Sequence, residues 1–491
     1  MAKVVVVERD DTGRVFKVPV GPWVTQRRSL DATPKHGGSS SPWSANAIYT
    51  RLGSLYHVLS ELFLPAGYPS SVSPDYLVYQ IYNALQAFCN SLSGLLASRG
   101  ALEGVGVGDA STSATHALLL TVLKDIFSRF TTILAAYYFG TSLYPETKTF
   151  RYLADVFNDA ATVLDTIVPF IGSIDPSRYW SAFPSGATLQ IIALCLSSGM
   201  RSLCLLVAGG SKAALKNHFA SPLAGKGDVG EVSAKDESRE TVVGLSGILL
   251  GTLLIPYVNT RALTYTTLFI LVGAHLLFNY LAVRSVVLRT LNRQRACILW
   301  TSFKLPSGTL KERAPTPANV ASKELLFGAP STLREASTGQ KIGRCILGTS
   351  LQNIKSQCTA EHIESALHVF GGERYVLFIA GGNDHGLRQG TIAVCFKDGY
   401  HSIDQLQAWI HAIEATRRLC DPEDDADPVD VLRSTLPATR GAIPRFVQSL
   451  AEAGWETGNG SMMFGSPSHL ILGIDQAQED TRGDNEDKKQ R

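Results

Sequence analysis

Six polar side chains gather on one arc when Phe150–Val168 is wound as an α-helix at about 100° per residue. They are Arg151, Asp155, Asn158, Asp159, Thr162 and Asp165, and the opposite side carries Leu153, Val156, Phe157, Ala160, Leu164 and Ile167. Three carboxylates and an amide on one face are the donor set of a cation or polar-ligand site. The same set also makes an ordinary solvated helix face. Two further groups carry chemistry. Lys235, close to Asp236 and Glu240, is a candidate for a Schiff base with an aldehyde, although no neighbour is placed to lower its pKa and exposed loop charge explains it equally. His275 and Asn279 stand four apart in an apolar run. They suit either a transport path or hydrogen bonds to a neighbouring helix. The neighbour expected is the preceding helix, whose Gly247 and Gly251 form a small-xxx-small packing element, and packing is the reading adopted.

Other motifs carry less. The glycine-rich Gly104–Asp109 follows a helical rather than a strand-like stretch and has no Lys-Ser/Thr after it, so a tight connection between helices fits better than a phosphate loop. No nucleophile elbow, His-Glu-x-x-His run, Walker motif or Cys-x-x-Cys pair occurs. No catalytic residue, metal ligand or cofactor is assigned, and the chain is not expected to be an enzyme.

These residues need helices to position them. A second amphipathic segment, His116–Tyr138, sets Lys124, Asp125, Ser128, Arg129 and Thr132 on a polar strip, with Asp125 and Arg129 spaced for an intrahelical ion pair. Such charges are too costly to face lipid, so both amphipathic helices belong in a soluble bundle or along a polar seam. Ala187–Val207 is a weaker candidate span, with a helix stop expected at Gly209-Gly210 and a polar loop from there to Glu240. Between Thr241 and Val283 the only charge is Arg261. The two apolar runs there, Thr241–Val258 and Leu263–Val283, approach the roughly 20 residues that span a bilayer. Asn259–Ala262 turns the chain back between them. Lysines and arginines flank the open ends, which the positive-inside rule places on the cytoplasmic side.

The ends read differently. Residues 1–18 suggest a β-hairpin turning at Asp11-Thr12-Gly13, and Gly37–Ser41 a linker. Tyr375–Ala380 and Thr391–Phe396 suggest strands joined by a turn-rich segment, followed by an amphipathic helix over Ile403–Thr416. Charged residues make up 18% of the 491, below the roughly 25% of soluble chains, as a membrane-embedded middle between polar ends would give. A formal charge of +2 argues against nucleic acid as a partner. The eight cysteines are scattered, which favours a reducing compartment over disulfides. The N-terminus has neither signal-peptide nor transit-peptide character.

Over Leu62–Asp109, Leu123–Phe130, Arg151–Asp165, Lys216–Leu254 and Leu291–Arg295 the chain resembles the root UV-B-sensitive (RUS) family. A looser likeness at Tyr375–Phe396 extends the resemblance to roughly residues 52–396. It implies a membrane-associated protein linked to vitamin B6 homeostasis, with no established reaction and with members that act in pairs. The ligand-binding candidates are Asp75, Lys124, Asp125, Arg151, Asp155, Asn158, Asp159, Lys235 and Glu240, and the resemblance puts one polar site shared by the acidic helix and the Lys235–Glu240 segment level with the solvated-face reading. The chain departs from the pattern at Ser221–Gly225 and around Thr416–Asp430, which leaves partner choice unassigned.

The expected fold is mainly α: a helical membrane-associated bundle with a C-terminal membrane hairpin, then a small α+β tail domain. Its expected divisions are a polar segment (1–42), a RUS-like helical domain (43–300) containing the hairpin (241–283), a connector (301–330), an α+β domain (331–475) and a disordered tail (476–491). The expected setting is an intracellular membrane. Expected partners are the bilayer, a second RUS-family protein or another copy, and an unidentified small molecule. The expected role is non-enzymatic binding or scaffolding in vitamin B6-related homeostasis. A transporter using the polar seam is the alternative, and an enzyme acting on a B6 vitamer the third possibility.

Overall fold

The computed structural model describes residues 4–9, 15–20, 60–104, 114–140, 143–173, 184–223, 227–305, 308–380, 391–420, 427–457, 462 and 469–471. The chain divides into two compact units, one of residues 1–138 and 150–286, the other of residues 139–149 and 287–491. Among its described residues the first is helical apart from an antiparallel pair, β1 (Val4–Arg9) with β2 (Val15–Val20), in register from Val4 opposite Val20 to Arg9 opposite Val15. This is the hairpin read from the sequence; its turn, the Gly37–Ser41 linker and the glycine-rich Val105–Asp109 lie outside the described residues.

Six long helices follow: α1 (Tyr76–Gly104), α2 (Ala114–Phe139), α3 (Thr147–Ser173), α4 (Gly186–Phe219), α5 (Val229–Leu254) and α6 (Arg261–Ser285). The first three residues of α3 fall in the second unit. α1 packs along both α5 and α6. At Gly100 it also meets α3 so closely that an added Cβ would stand 2.7 Å from Thr166 Cα. Leu120, Val168, Ala193 and Leu194 form a small core joining α2, α3 and α4. The edge of the Tyr76 ring meets Phe219 at 5.5 Å and ties the start of α1 to the end of α4.

Two expectations are corrected here. α4 does not stop at Gly209-Gly210; it runs on to Phe219. A helix-interior glycine costs only about 1 kcal/mol against alanine, and the last two turns of α4 gain ion pairs from Lys212 to Glu240 at 2.7 Å and from Lys216 to Glu237 at 3.1 Å. The expected polar loop to Glu240 is therefore mostly helix. Asp228 starts α5 by accepting the backbone N–H of Gly230 at 2.7 Å, which is ordinary N-capping.

α5 ends at Leu254 because Pro256 cannot continue the hydrogen-bond ladder; Ile255–Tyr257 form a single 3-10 turn. Thr260 then caps α6 by accepting from the Leu263 N–H. Among the described residues three helical stretches are long and apolar enough to cross a membrane: Gly186–Phe219, Val229–Tyr257 and Arg261–Ser285. The apolar window of the second is only 11% buried, so its side chains point outward. At the turn between α5 and α6, Arg99 of α1 donates to the Val258 carbonyl at 3.2 Å, so Arg261 is not the only cation there.

In the second unit a mixed sheet has the order β3 (Thr332–Arg334), β4 (Lys341–Leu347), β6 (Thr391–Lys397), β5 (Tyr375–Ala380), with β7 (His469–Leu470) also on β6. β4 and β6 run parallel, and β5 and β6 antiparallel with Tyr375 opposite Phe396. Both strands expected from the sequence are present, and β3, β4 and β7 are additional. α11 (Ser402–Leu419) buries Leu406, Trp409, Ile410 and Ile413 in the same core as the sheet. α12 (Pro428–Glu452) and α7 (Arg293–Phe303) complete that core, with Trp300 edge-on to Phe446 at 5.1 Å. Between them in sequence lie the short helices α8 (Pro317–Lys323), α9 (Leu351–Lys355) and α10 (Ala360–Val369). The residues joining β5 to β6 lie outside the described set.

Candidate functional site

The acidic face of α3 is buried inside the helical unit. Arg151, Asp155 and Asp159 are spaced four apart and so share one side of the helix; each is less than 7% exposed. Arg151 Nη1 pairs with Asp155 Oδ1 at 2.8 Å, while its Nη2 donates to Gln86 Oε1 at 3.0 Å and Asn83 Oδ1 at 3.4 Å. Asn83 Nδ2 in turn donates to Glu240 Oε1 at 3.2 Å, and Glu240 is held by Lys212 at 2.7 Å. At the other end, His275 Nδ1 lies 2.8 Å from Asp159 Oδ2, and its Nε2 is 3.8 Å from Asp155 Oδ2. A continuous polar seam therefore runs through side chains of α1, α3, α4, α5 and α6.

Low local dielectric makes such a network strong where it is complete and costly where it is not. Its largest group of unmatched atoms lies around His275. Asp155 Oδ2, Asp159 Oδ1, His275 Nε2, Thr162 Oγ1 and both amide atoms of Asn279 are buried without hydrogen-bond partners. Unmatched polar atoms of this kind are where water or a polar ligand is normally held.

The seam takes in part of the set named from the sequence. Arg151, Asp155, Asp159 and Glu240 are linked as described. Asn158 donates to Asn90 Oδ1 of α1 at 2.7 Å. Lys235 turns away and donates to the backbone carbonyl of Glu61. Asp75 forms a separate buried pair with His218 at 2.9 Å. Asp125 and Arg129 pair with each other at 2.8 Å on an exposed surface, and at Lys124 it is the backbone carbonyl that is engaged, accepting from Ser198. Asp165 pairs with Arg201 at 2.6 Å.

His275 hydrogen-bonds across to a neighbouring helix, but that helix is α3 and not α5. Gly247 and Gly251 likewise face α1: an added Cβ at Gly247 would lie 2.7 Å from Ser91 Cβ, and one at Gly251 would run into Leu95. Both hairpin helices pack on α1, which stands where the sequence reading placed each against the other. Asn83, Gln86 and Asn90 were not singled out. Their signal was present, since amides at i, i+3 and i+7 mark one stripe of a helix.

The second unit has its own buried charges. Glu324 accepts from Lys148 at 2.7 Å and Arg295 at 2.9 Å. Although burial opposes ionisation, these two cations draw its carboxyl down to about 2. Burial holds His411 neutral, down to about 4, and pushes the Cys297 thiol up to about 12. Among the described residues no group of three or more His, Cys, Asp or Glu side chains is arranged to hold a metal ion.

A family model described as a vitamin B6 photo-protection and homoeostasis domain matches residues 50–306, which include every residue of the seam. RUS family member 1 of Dictyostelium discoideum is 33% identical over 276 residues, 55% of this chain and 48% of that protein. The chain thus spans about half the length of that relative. Protein root UVB sensitive 3 of Arabidopsis thaliana is 28% identical over 378 residues, 76% of this chain and 79% of that one. Protein root UVB sensitive 5 of the same plant is 24% identical over 428 residues, 84% and 76% of the two chains. No solved structure matches. The seam-bearing helices and the matched region coincide, and the chain belongs to the RUS family, with a vitamin B6 photo-protection and homoeostasis domain over residues 50–306.

Proposed function

We propose that this chain is a membrane-associated, non-enzymatic binding protein of vitamin B6 homoeostasis, with its ligand held along the seam of the helical unit. The observation that carries this reading is the cluster of buried, unpartnered polar atoms on Asp155, Asp159, Thr162, His275 and Asn279. The remaining seam charges are committed to one another, which suits a preformed binding site better than a reacting one. Helices α4, α5 and α6 supply the membrane attachment, with the turn between α5 and α6 on the far side from Lys212, Lys216 and Arg284.

The test uses the full chain in detergent, melted with and without pyridoxal 5′-phosphate, pyridoxine or pyridoxamine. A ligand that binds only the folded state raises the apparent melting temperature by mass action. A rise that Asn279→Leu abolishes is the expected result. No rise with any of the three overturns the ligand reading, and turnover of a vitamer overturns the non-enzymatic one. Carbonate extraction that releases the chain into the supernatant overturns the membrane reading.

The seam's passage between the apolar helices also favours transport as a second reading. Flux of a vitamer into liposomes carrying the chain, reduced by Asp159→Asn, would establish it.

A further inference from the structure

The charges along the seam balance everywhere except at one pair. Lys212 is matched by Glu240, Arg201 by Asp165 and Arg151 by Asp155. Among the described ion pairs Asp159 meets only His275, at 2.8 Å. Both side chains are all but inaccessible, Asp159 at 3% and His275 at 1% exposure. With a neutral imidazole and an ionised carboxylate, this pair would bury one uncompensated negative charge, which a low-dielectric interior strongly opposes. One proton removes the imbalance, whether it rests on His275 Nδ1 as an imidazolium or on Asp159 Oδ2 as a carboxylic acid.

We propose that Asp159 and His275 together form a one-proton binding site inside the helical unit, exchanging that proton through the unpartnered polar atoms around it.

A second, independent observation points the same way. Asn279 is fully buried with neither amide atom partnered. It follows His275 by one turn of α6, and the next residue, Tyr280, packs edge-on to Tyr152 of α3 at 6.3 Å. The His275–Tyr280 stretch of α6 therefore runs along α3 from Asp159 towards Tyr152, which sets Asn279 level with Asp155. Asp155 Oδ2, 3.8 Å from His275 Nε2, and the Asn279 amide thus line the side of the imidazole away from Asp159. An amide both donates and accepts, so these atoms hold water in register for proton exchange.

The other titratable groups close to the pair leave this count unchanged. Tyr152 on α3 and Cys89 on α1 sense the Asp159 charge, Cys204 on α4 senses Asp155 and Tyr79 on α1 contacts Arg151. With Tyr280, all are uncharged in their ordinary forms at neutral pH. The inference stands apart from the ligand reading, since the count requires no vitamer.

The decisive measurement is spectroscopic and uses the full wild-type chain in detergent at pH 8, with 15N-labelled histidine and 13C-labelled aspartate. Either an imidazolium nitrogen pattern or a label-shifted carboxylic acid band is expected, and its disappearance in Asp159→Asn assigns it. A neutral imidazole together with no aspartic acid band overturns the proposal. If Asp159→Asn does not fold, the wild-type spectra decide alone.

Discussion

Gly247 of α5 seats directly against Ser91 of α1, so closely that an added Cβ would stand 2.7 Å from the serine Cβ and 3.3 Å from the Phe88 carbonyl oxygen. One turn later Gly251 faces Leu92 and Leu95 of the same helix. The small residues of the hairpin therefore dock it onto α1, whose other contacts include α6.

Gly247→Leu should separate α5 from α1, because there is no void to receive the side chain and overpacking of a tight contact costs about 1–3 kcal/mol. Gly273 of α6 provides the control: nothing lies within 4 Å of a Cβ placed there. Gly273→Ala should be neutral or raise the melting temperature slightly, by up to about 1 kcal/mol of helix propensity. Melting of the two variants in detergent checks both, and equal melting temperatures would refute the docking role.

Arg151 joins the two halves of the seam with different nitrogens, Nη1 to Asp155 and Nη2 to Gln86 and Asn83. Arg151→Met keeps the packing volume but strands the buried Asp155 carboxylate, and removal of one partner from a buried pair costs about 3–5 kcal/mol. Arg151→Lys restores the charge without the planar fork, so it should recover only part of the loss. A melting series in the order wild type, Lys, Met is the expected outcome. A methionine variant as stable as wild type would show that the pair contributes nothing.

Much of this was legible in the chain, and the illegible part has a physical cause. The α3 face was readable because its polar spacing is local, and the hairpin because two apolar runs flank one charge. Strands β5 and β6 stood out as short β-branched and aromatic runs. The length of α4 was hidden, since the glycine pair at 209–210 reads as a stop and the pairs that carry the helix past it, Lys212–Glu240 and Lys216–Glu237, join positions 28 and 21 residues apart. The partners of Gly247 and His275 were hidden for the same reason. A packing face shows in the sequence, but which of several helices covers it is decided by the whole bundle. The amide stripe Asn83, Gln86 and Asn90 lay in plain view, and amides in a long helix carry no charge to draw attention.

Acid should destabilise the chain in two separable steps, both arising in the sheet-bearing unit. His411 is held neutral between Thr435, 2.9 Å from Nε2, and Tyr375, 3.4 Å from Nδ1. Its folded value of about 4 lies below the ordinary 6.5, so between those values the unfolded chain binds a proton that the folded chain refuses, and stability falls as pH falls from about 6.5 towards 4. Glu324, clamped by Lys148 and Arg295, is drawn from 4.5 to about 2, and its contribution is lost as pH falls through that lower window. Each step amounts to a loss on the order of 3 kcal/mol. Glu146, raised by burial, acts in the opposite sense and loses its contribution as pH rises above 4.5. Melting temperatures of the full chain across pH 2–7 should show the upper step vanish in His411→Gln and the lower step vanish in Glu324→Gln. The glutamine at 324 should also lower stability at pH 7, where Lys148 and Arg295 lose their shared anion. An unchanged upper step in His411→Gln would place that proton on another group.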